Sequence, residues 1–271
     1  MPDIGTFIKK AEEFNPLKEP IVRSAVQALQ IPLGSKGLDA GCGIGYQSLL
    51  LADEVGLSGH VTGLDLSPEF LLYAERIVEK SGLSERISFR EGDVNSLPFE
   101  KNTFDWLWSA DCVGYPTAEK SVSLLRELVR VVKPGGSLAI LAYSSQQLLP
   151  GYPLLEARLN ATCSAYIPLL KGKDSQQNFL RALGWFREAG LEDLAVHTFV
   201  KDVYAPLSKN IQMALSSLIF MLWGERQPEV SKGDWEEFQC LCQPDSPDYL
   251  LNLPDYYAFF TYSMFCGKVP M

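Results

Sequence analysis

Residues 37–46 read GLDAGCGIGY. The opening of this stretch suits a buried strand, and glycine then recurs at every second position, 41, 43 and 45. A strand that runs straight into alternating glycines reads as the first turn of a doubly wound α/β sheet, where ligand lies beyond the carboxyl ends of the strands. Glycine there permits tight backbone dihedrals and removes the Cβ, so a ligand can rest against the main chain.

Outward from that turn, the pattern alternates. KGLDA (36–40) is strand-like, and YQSLLLADEVG (46–56) is a helix closed by glycine. HVTGLDLS (60–67) is a strand, followed by a helix over 68–82 with Pro68 in its first turn. Strands follow at 86–93 and 103–111, then a helix with its exit over 118–136 and a strand at 137–144. This spacing predicts right-handed βαβ units and a Rossmann-like, seven-stranded, mostly parallel sheet with helices on both faces. After Ser145 the rhythm breaks into a helical, proline-punctuated insertion at 146–178. A helix ending at Gly190 and a strand at 191–205 resume it. A second helical insertion spans 206–252, and 256–269 is the last strand. The expected organisation is therefore a helical lead-in at 1–35 interrupted by Pro16 and Pro20, a cofactor-binding half at 36–145, and a remainder at 146–271.

Composition narrows the function. With 271 residues, 46% of them apolar, the chain can bury one large core. A net charge of −9 without a Lys/Arg stripe argues against nucleic acid as a partner. The first residues lack the apolar core of a signal peptide, which implies a cytoplasmic protein. IQMALSSLIFMLWG (211–224) is too short to span a bilayer. It needs cover from the rest of the chain, from a second copy in a homodimer, or from an apolar substrate. Six cysteines at 42, 112, 163, 240, 242 and 266 show no disulfide framework, and with two histidines no metal site is expected.

The ligand can be read further. Asp65 ends the second strand twenty residues past Gly45, where a carboxylate accepts ribose hydroxyls. Asp93 ends the third and can reach an adenine amino group. A dinucleotide site carries GxGxxG, with a pyrophosphate at the helix start. Here the pattern is GxGxG, with Tyr46 where the third glycine would stand, and Asp39 just before the turn repels a diphosphate but attracts an ammonium. The combination favours S-adenosylmethionine.

GLDAGCGIGYQSLLLA, VTGLDLS, ISFREGDVNSLPFEKNTFDWLWSADCVGY and LLRELVRVVKPGGSLAIL resemble, in order and spacing, the motifs of class I S-adenosylmethionine-dependent methyltransferases. Within that family the wording is most similar to the ubiquinone/menaquinone-biosynthesis branch and its small-molecule relatives. The resemblance spans residues 36–145. It implies that Asp39, Gly41, Cys42, Gly43 and Gly45 surround the methionyl end and that Asp65 binds the ribose. It further implies that Leu66 packs on the adenine, that Asp93 and Val94 read its edge, and that Ser109, Ala110 and Asp111 line the floor near the sulfonium. The expected activity is methyl transfer to a small, partly apolar organic acceptor. The alternatives are a non-catalytic S-adenosylmethionine-binding subunit or sensor, or a nicotinamide-dependent oxidoreductase. Candidate catalytic groups are Asp111 and Tyr115 beyond the fourth strand and His197 in the sixth, the last also readable as a buried, bonded core histidine.

Overall fold

The computed structural model describes residues 4–113, 121–162, 178–225 and 227–271. Seven strands, β1 (Lys36–Ala40), β2 (His60–Asp65), β3 (Ile87–Glu91), β4 (Phe104–Ala110), β5 (Val132–Gln147), β6 (Glu192–Tyr204) and β7 (Tyr257–Lys268), form one sheet in the order β3-β2-β1-β4-β5-β7-β6. The pairs β1–β2, β1–β4, β2–β3 and β4–β5 are parallel. The chain order reverses between β1 and β4, which makes their carboxyl ends the switch point.

Contacts along β7 fix its direction. Ser137 meets Lys268 and Ser144 meets Thr261, so β7 descends as β5 ascends. Thr198 meets Ser263 and the Ala205 N–H donates to the Tyr256 carbonyl, so β7 is antiparallel to β6 as well. The expected mostly parallel sheet is therefore observed, with β7 reversed.

Eight helices accompany it among the described residues: α1 (Ile4–Ala28), α2 (Tyr46–Val55), α3 (Pro68–Lys80), α4 (Ser121–Val131), α5 (Pro153–Thr162), α6 (Ala182–Glu188), α7 (Lys209–Trp223) and α8 (Lys232–Cys242). Two elements differ from expectation. α1 runs unbroken through Pro16 and Pro20, although each proline removes a backbone donor. Leu17, Ile21, Val22, Ala25 and Val26 share one face at helical spacing, each at most 2% exposed, and that burial outweighs the lost bonds. β5 starts at Val132, directly after α4, and its pairing with β4 slips from Phe104–Val132 to Trp106–Ser137. The residues 133–136 taken up in that slip hold Gly135 and Gly136, where the sequence pattern predicts a helix exit.

The chain divides into two compact units. The sheet unit comprises 21–143, 175–199 and 262–271. One face of its sheet packs Leu38, Leu64, Leu107, Leu138 and Ile140 against Leu124, Leu125 and Leu128 of α4 and Trp185 and Phe186 of α6. The helical unit comprises 1–20, 144–174 and 200–261. Its core gathers Trp223, Trp235 and Phe238, with Trp235 stacked on Phe238 at 5.2 Å. The buried Glu156 accepts from the Leu148 N–H at 2.8 Å and the Leu149 N–H at 3.0 Å. α7 buries Leu215, Leu218, Ile219 and Leu222 and leaves Met213 and Met221 half exposed. No helix among the described residues is long and apolar enough to cross a membrane.

Candidate active site

The turn after β1 holds Gly41, Gly43 and Gly45 at φ of +80°, +52° and +83°. These glycines have different reasons to be there. A Cβ on Gly41 would stand 2.7 Å from Cys112 Sγ, and one on Gly45 would stand 2.7 Å from Ala74 Cβ in α3. A Cβ on Gly43 would meet nothing within 4 Å. Gly41 and Gly45 therefore answer to packing, whereas Gly43 borders open space. The Gly41 and Cys42 N–H groups both donate to the Leu64 carbonyl, at 2.8 and 2.9 Å, which pins the turn to the end of β2.

Carboxylates gather around this turn. Asp39 is 1% exposed and accepts the Ser48 hydroxyl at 2.7 Å. Asp65 Oδ2 accepts the Gly43 N–H at 2.8 Å and Oδ1 accepts the Ser67 N–H at 3.0 Å. Ser67 caps α3 through the Phe70 N–H. Its capping does not release Asp65 from structural work, because that carboxylate also braces the glycine turn. Leu66 beside it is 67% exposed, an apolar side chain held in the open.

Asp93 is exposed, and its Oδ1 accepts both the backbone N–H and the side-chain amide of Asn95 at 2.8 Å. Val94 packs against the sheet core. The loop beyond is clamped from α4: Glu127 accepts the Leu97 N–H, while Arg130 bonds Glu127 and the Phe99 and Leu97 carbonyls. Arg130 holds the Glu127 carboxyl below its usual range.

At the tip of β4, the Ser109 hydroxyl donates to the Ala40 carbonyl at 2.7 Å, and Ala110 is buried. Asp111 follows with φ +52°. Its N–H donates to the Leu141 carbonyl at 2.8 Å, its Oδ1 accepts the Tyr143 N–H and its Oδ2 accepts the Tyr262 hydroxyl, both at 3.3 Å. The Tyr143 and Tyr262 rings meet edge to face, centroids 5.4 Å apart. The sequence pattern places Tyr262 only in the last strand. The antiparallel register, which sets 262 opposite 143, is the signal that would have brought it to the site.

Two thiols report the local field. Burial first, then Asp39 and Asp65, pushes the Cys42 thiol well above its ordinary value. Burial, then Asp65, with Asp39 and Asp111 adding, pushes Cys112 up to about 11 against the pull of Ser109. Protonated thiols among carboxylates make a site suited to a cation.

His197 is exposed on edge strand β6, near Phe199, and so is not the buried core histidine expected. β5 and β7 separate its strand from β4, so the structure does not bring it to the turn. Tyr115 lies outside the described residues. Cys240 is exposed with Sγ 3.3 Å from Asp248, while burial pushes the Cys242 thiol up to about 12.

Comparison with known proteins places this geometry. Residues 38–136 match the methyltransferase domain family. The demethylmenaquinone methyltransferase of Bacillus pumilus (strain SAFR-032) is 32% identical over 191 residues, 66% of this chain and 80% of that protein. The norajmaline N-methyltransferase of Rauvolfia serpentina is 34% identical over 113 residues, 42% of this chain and 37% of that protein. Among solved structures, phosphoethanolamine N-methyltransferase 2 of Haemonchus contortus in complex with S-adenosyl-L-methionine superposes with a TM-score of 0.54 at 20% identity. That match covers 92% of this chain, which spans about half of the nematode enzyme's length. An S-adenosylmethionine-dependent methyltransferase of Aquifex aeolicus superposes at 0.51 and 18% identity, over 97% of this chain and 99% of that one. The fold, the glycine turn ringed by carboxylates and the match across most of a bacterial relative agree: the chain belongs to the class I S-adenosylmethionine-dependent methyltransferases, enzymes whose methyl donor is S-adenosylmethionine.

Proposed function

We propose that the carboxyl edge of β1, β2, β3 and β4 cradles S-adenosylmethionine for methyl transfer to a small, partly apolar organic acceptor. The carrying observation is the open space at Gly43 beside two carboxylates, Asp39 and Asp65. In this reading Gly41, Cys42, Gly43 and Gly45 bear on the methionyl end. Asp39 attracts its ammonium. α2 begins at Gly45 without a side-chain cap, so its first N–H groups suit the donor's carboxylate. Asp65 has about four lone-pair sites, and two bonds to backbone leave room for ribose hydroxyls. Leu66 offers an apolar surface to the adenine. Asp93 and Val94 border its edge, with Asp93 keeping both Asn95 contacts on Oδ1.

When bound, the donor supplies a methyl group on a cationic sulfur, open to in-line attack. The chain's own work is to hold the acceptor at near-attack distance and keep water out. Ser109 and Ala110 form a rigid floor, tied to β1 through the Ala40 carbonyl. Of the three candidate catalytic groups, Asp111 is the one that stands at this rim among the described residues. A general base is required only for a weakly acidic acceptor. Acceptor choice is assigned to the chain outside 38–136, because the donor cradle lies inside the matched segment. The relatives named above, acting on a demethylmenaquinone and on norajmaline, support an acceptor of that general kind.

Calorimetric titration with S-adenosylmethionine and with NAD tests the donor reading. Micromolar binding of the first alone, abolished by Asp65→Ala and weakened by Leu66→Asn, supports it. Binding of NAD, or of neither, sinks it. Release of S-adenosylhomocysteine with a quinol, an amine or a phenol then sorts the acceptor class.

A further inference from the structure

The register of the sheet unit gathers polar side chains at the end of the strands opposite the glycine turn. Lys36 pairs with His60, Leu38 with Thr62, and Thr62 in turn with Ser88. Side chains two apart share a face, so these polar residues stand on the face that packs toward α4 through Leu38 and Leu64. At the amino ends of β1 and β2 this face opens into a cleft of about 440 Å³, with Lys36, His60 and Thr62 on one part of its lining and Phe99, Thr103 and Phe104 on the rest. That volume suits a small organic molecule. β1 is five residues long, so the cleft lies roughly 13 Å from the glycine turn.

The lining runs against the charge of the chain. Net charge is −9, yet none of these six residues is a carboxylate. Asp105 feels the charge of Lys36, but its oxygens are engaged elsewhere: Oδ2 accepts the Lys36 N–H at 2.8 Å and Oδ1 the Lys133 ammonium at 2.6 Å. The exposed Lys36 ammonium is left for the cleft it lines. His60 Nε2 meets the Ser88 hydroxyl at 2.9 Å, which fixes the ring and leaves Nδ1 as its second polar atom. Thr103 donates to the Glu100 carbonyl at 2.6 Å, so Thr62 supplies the hydroxyl donor. Phe99 and Phe104 meet edge to face, centroids 5.0 Å apart, and Arg90 lies over the Phe99 ring at 4.9 Å. Aromatic rings beside a lysine suit a flat ring that carries a negative charge.

We propose that this cleft is a second small-molecule site and that it takes an aromatic carboxylate. The ring packs on Phe99 and Phe104, the carboxylate meets Lys36, and His60 and Thr62 complete its hydrogen bonds. The donor cradle proposed above lies at the opposite end of β1, so the ligand of this cleft is not the methyl acceptor.

Calorimetric titration of the full chain with naphthoate tests the site, and one saturable site is expected. Naphthamide keeps the ring and loses the charge, and should bind about fivefold more weakly. The ring-saturated carboxylate keeps the charge and should bind about threefold more weakly. Lys36→Gln should weaken naphthoate about fivefold and leave S-adenosylmethionine within about twofold. Phe99→Leu should weaken naphthoate about threefold. It should still fold, because the Glu127–Arg130 clamp grips this loop by backbone groups of Leu97 and Phe99 and not by the ring. Absence of saturable binding, equal binding of naphthamide, or unchanged affinity in Lys36→Gln overturns the proposal. Displacement of naphthoate by S-adenosylmethionine overturns it too, by putting the ring at the glycine turn. Each of these failures leaves the donor reading standing, since that reading rests on S-adenosylmethionine binding itself.

Discussion

The Asp65 carboxylate and the Gly43 N–H are joined at 2.8 Å, a bond that ties the tip of β2 to the turn after β1. The same carboxylate holds the Ser67 N–H at 3.0 Å. One residue thus shapes the turn from two sides.

Asp65→Ala should therefore lose stability as well as ligand. Hydrogen bonds to a charged group contribute about 1.5–3 kcal/mol, which for a chain of this size lowers Tm by roughly 5 °C. Leu66→Asn, at an exposed position, should leave Tm within about 1 °C and weaken S-adenosylmethionine several-fold. Differential scanning fluorimetry beside calorimetry separates the two. An unchanged Tm in Asp65→Ala would remove its bracing role.

The glycines should separate in the same way. Gly43→Ala places a methyl in open space at φ +52°, at a strain of about 1–2 kcal/mol, so the protein folds. The methyl occupies the cradle, and affinity for S-adenosylmethionine falls at least tenfold. Gly45→Ala carries similar strain and also drives its Cβ to 2.7 Å from Ala74, so its loss is in Tm and soluble yield. Equal effects of the two substitutions on binding and Tm would refute this division.

The sheet and the glycine turn are legible in the sequence because their determinants are local. A strand, a glycine turn and a strand-tip aspartate sit within a few residues of one another, and the order of motifs carries the sheet topology. The features that escaped are those set by distant packing. Pro16 and Pro20 read as breaks because the burial of Leu17, Ile21 and Val22 is not visible in the local pattern. The bond from Tyr262 to Asp111 escaped because the two residues stand 151 positions apart and meet through an antiparallel register that the sequence does not print. His197 read as buried because a β-branched and aromatic strand reads the same at an edge as at the centre of a sheet.

Thiol labelling offers an independent check on the field around the turn. Cys240 is exposed and should react first with iodoacetamide at pH 7.5. Cys112, with its thiol pushed up to about 11, should stay largely unlabelled there and gain label steadily as pH rises toward that value in native protein. Bound S-adenosylmethionine should slow labelling of Cys112 and leave Cys240 unchanged, as read by peptide mass spectrometry. Cys112 labelling as fast as Cys240 at pH 7.5 would contradict the acidic, buried setting.

The Glu127–Arg130 clamp on the loop that follows Asp93 and Val94 predicts a pH dependence. Glu127 is held below its usual carboxylate range chiefly by Arg130, with the Leu97 N–H adding and burial opposing. A carboxylate depressed in the folded state contributes stability above its unfolded value near 4.5, and that contribution is lost as pH falls through the lower folded value. Glu127→Gln keeps the shape and removes the charge, so at pH 7 its Tm should lie about 2–4 °C below wild type, a modest figure because Arg130 is partly solvent-exposed. The gap should narrow steadily below pH 4.5, as wild-type Glu127 takes up its own proton. Because this clamp holds the loop that follows Asp93 and Val94, the substitution should also weaken S-adenosylmethionine a few-fold at pH 7. A Tm gap that is constant from pH 7 to pH 3.5 would show that the charge on Glu127 contributes nothing to the clamp.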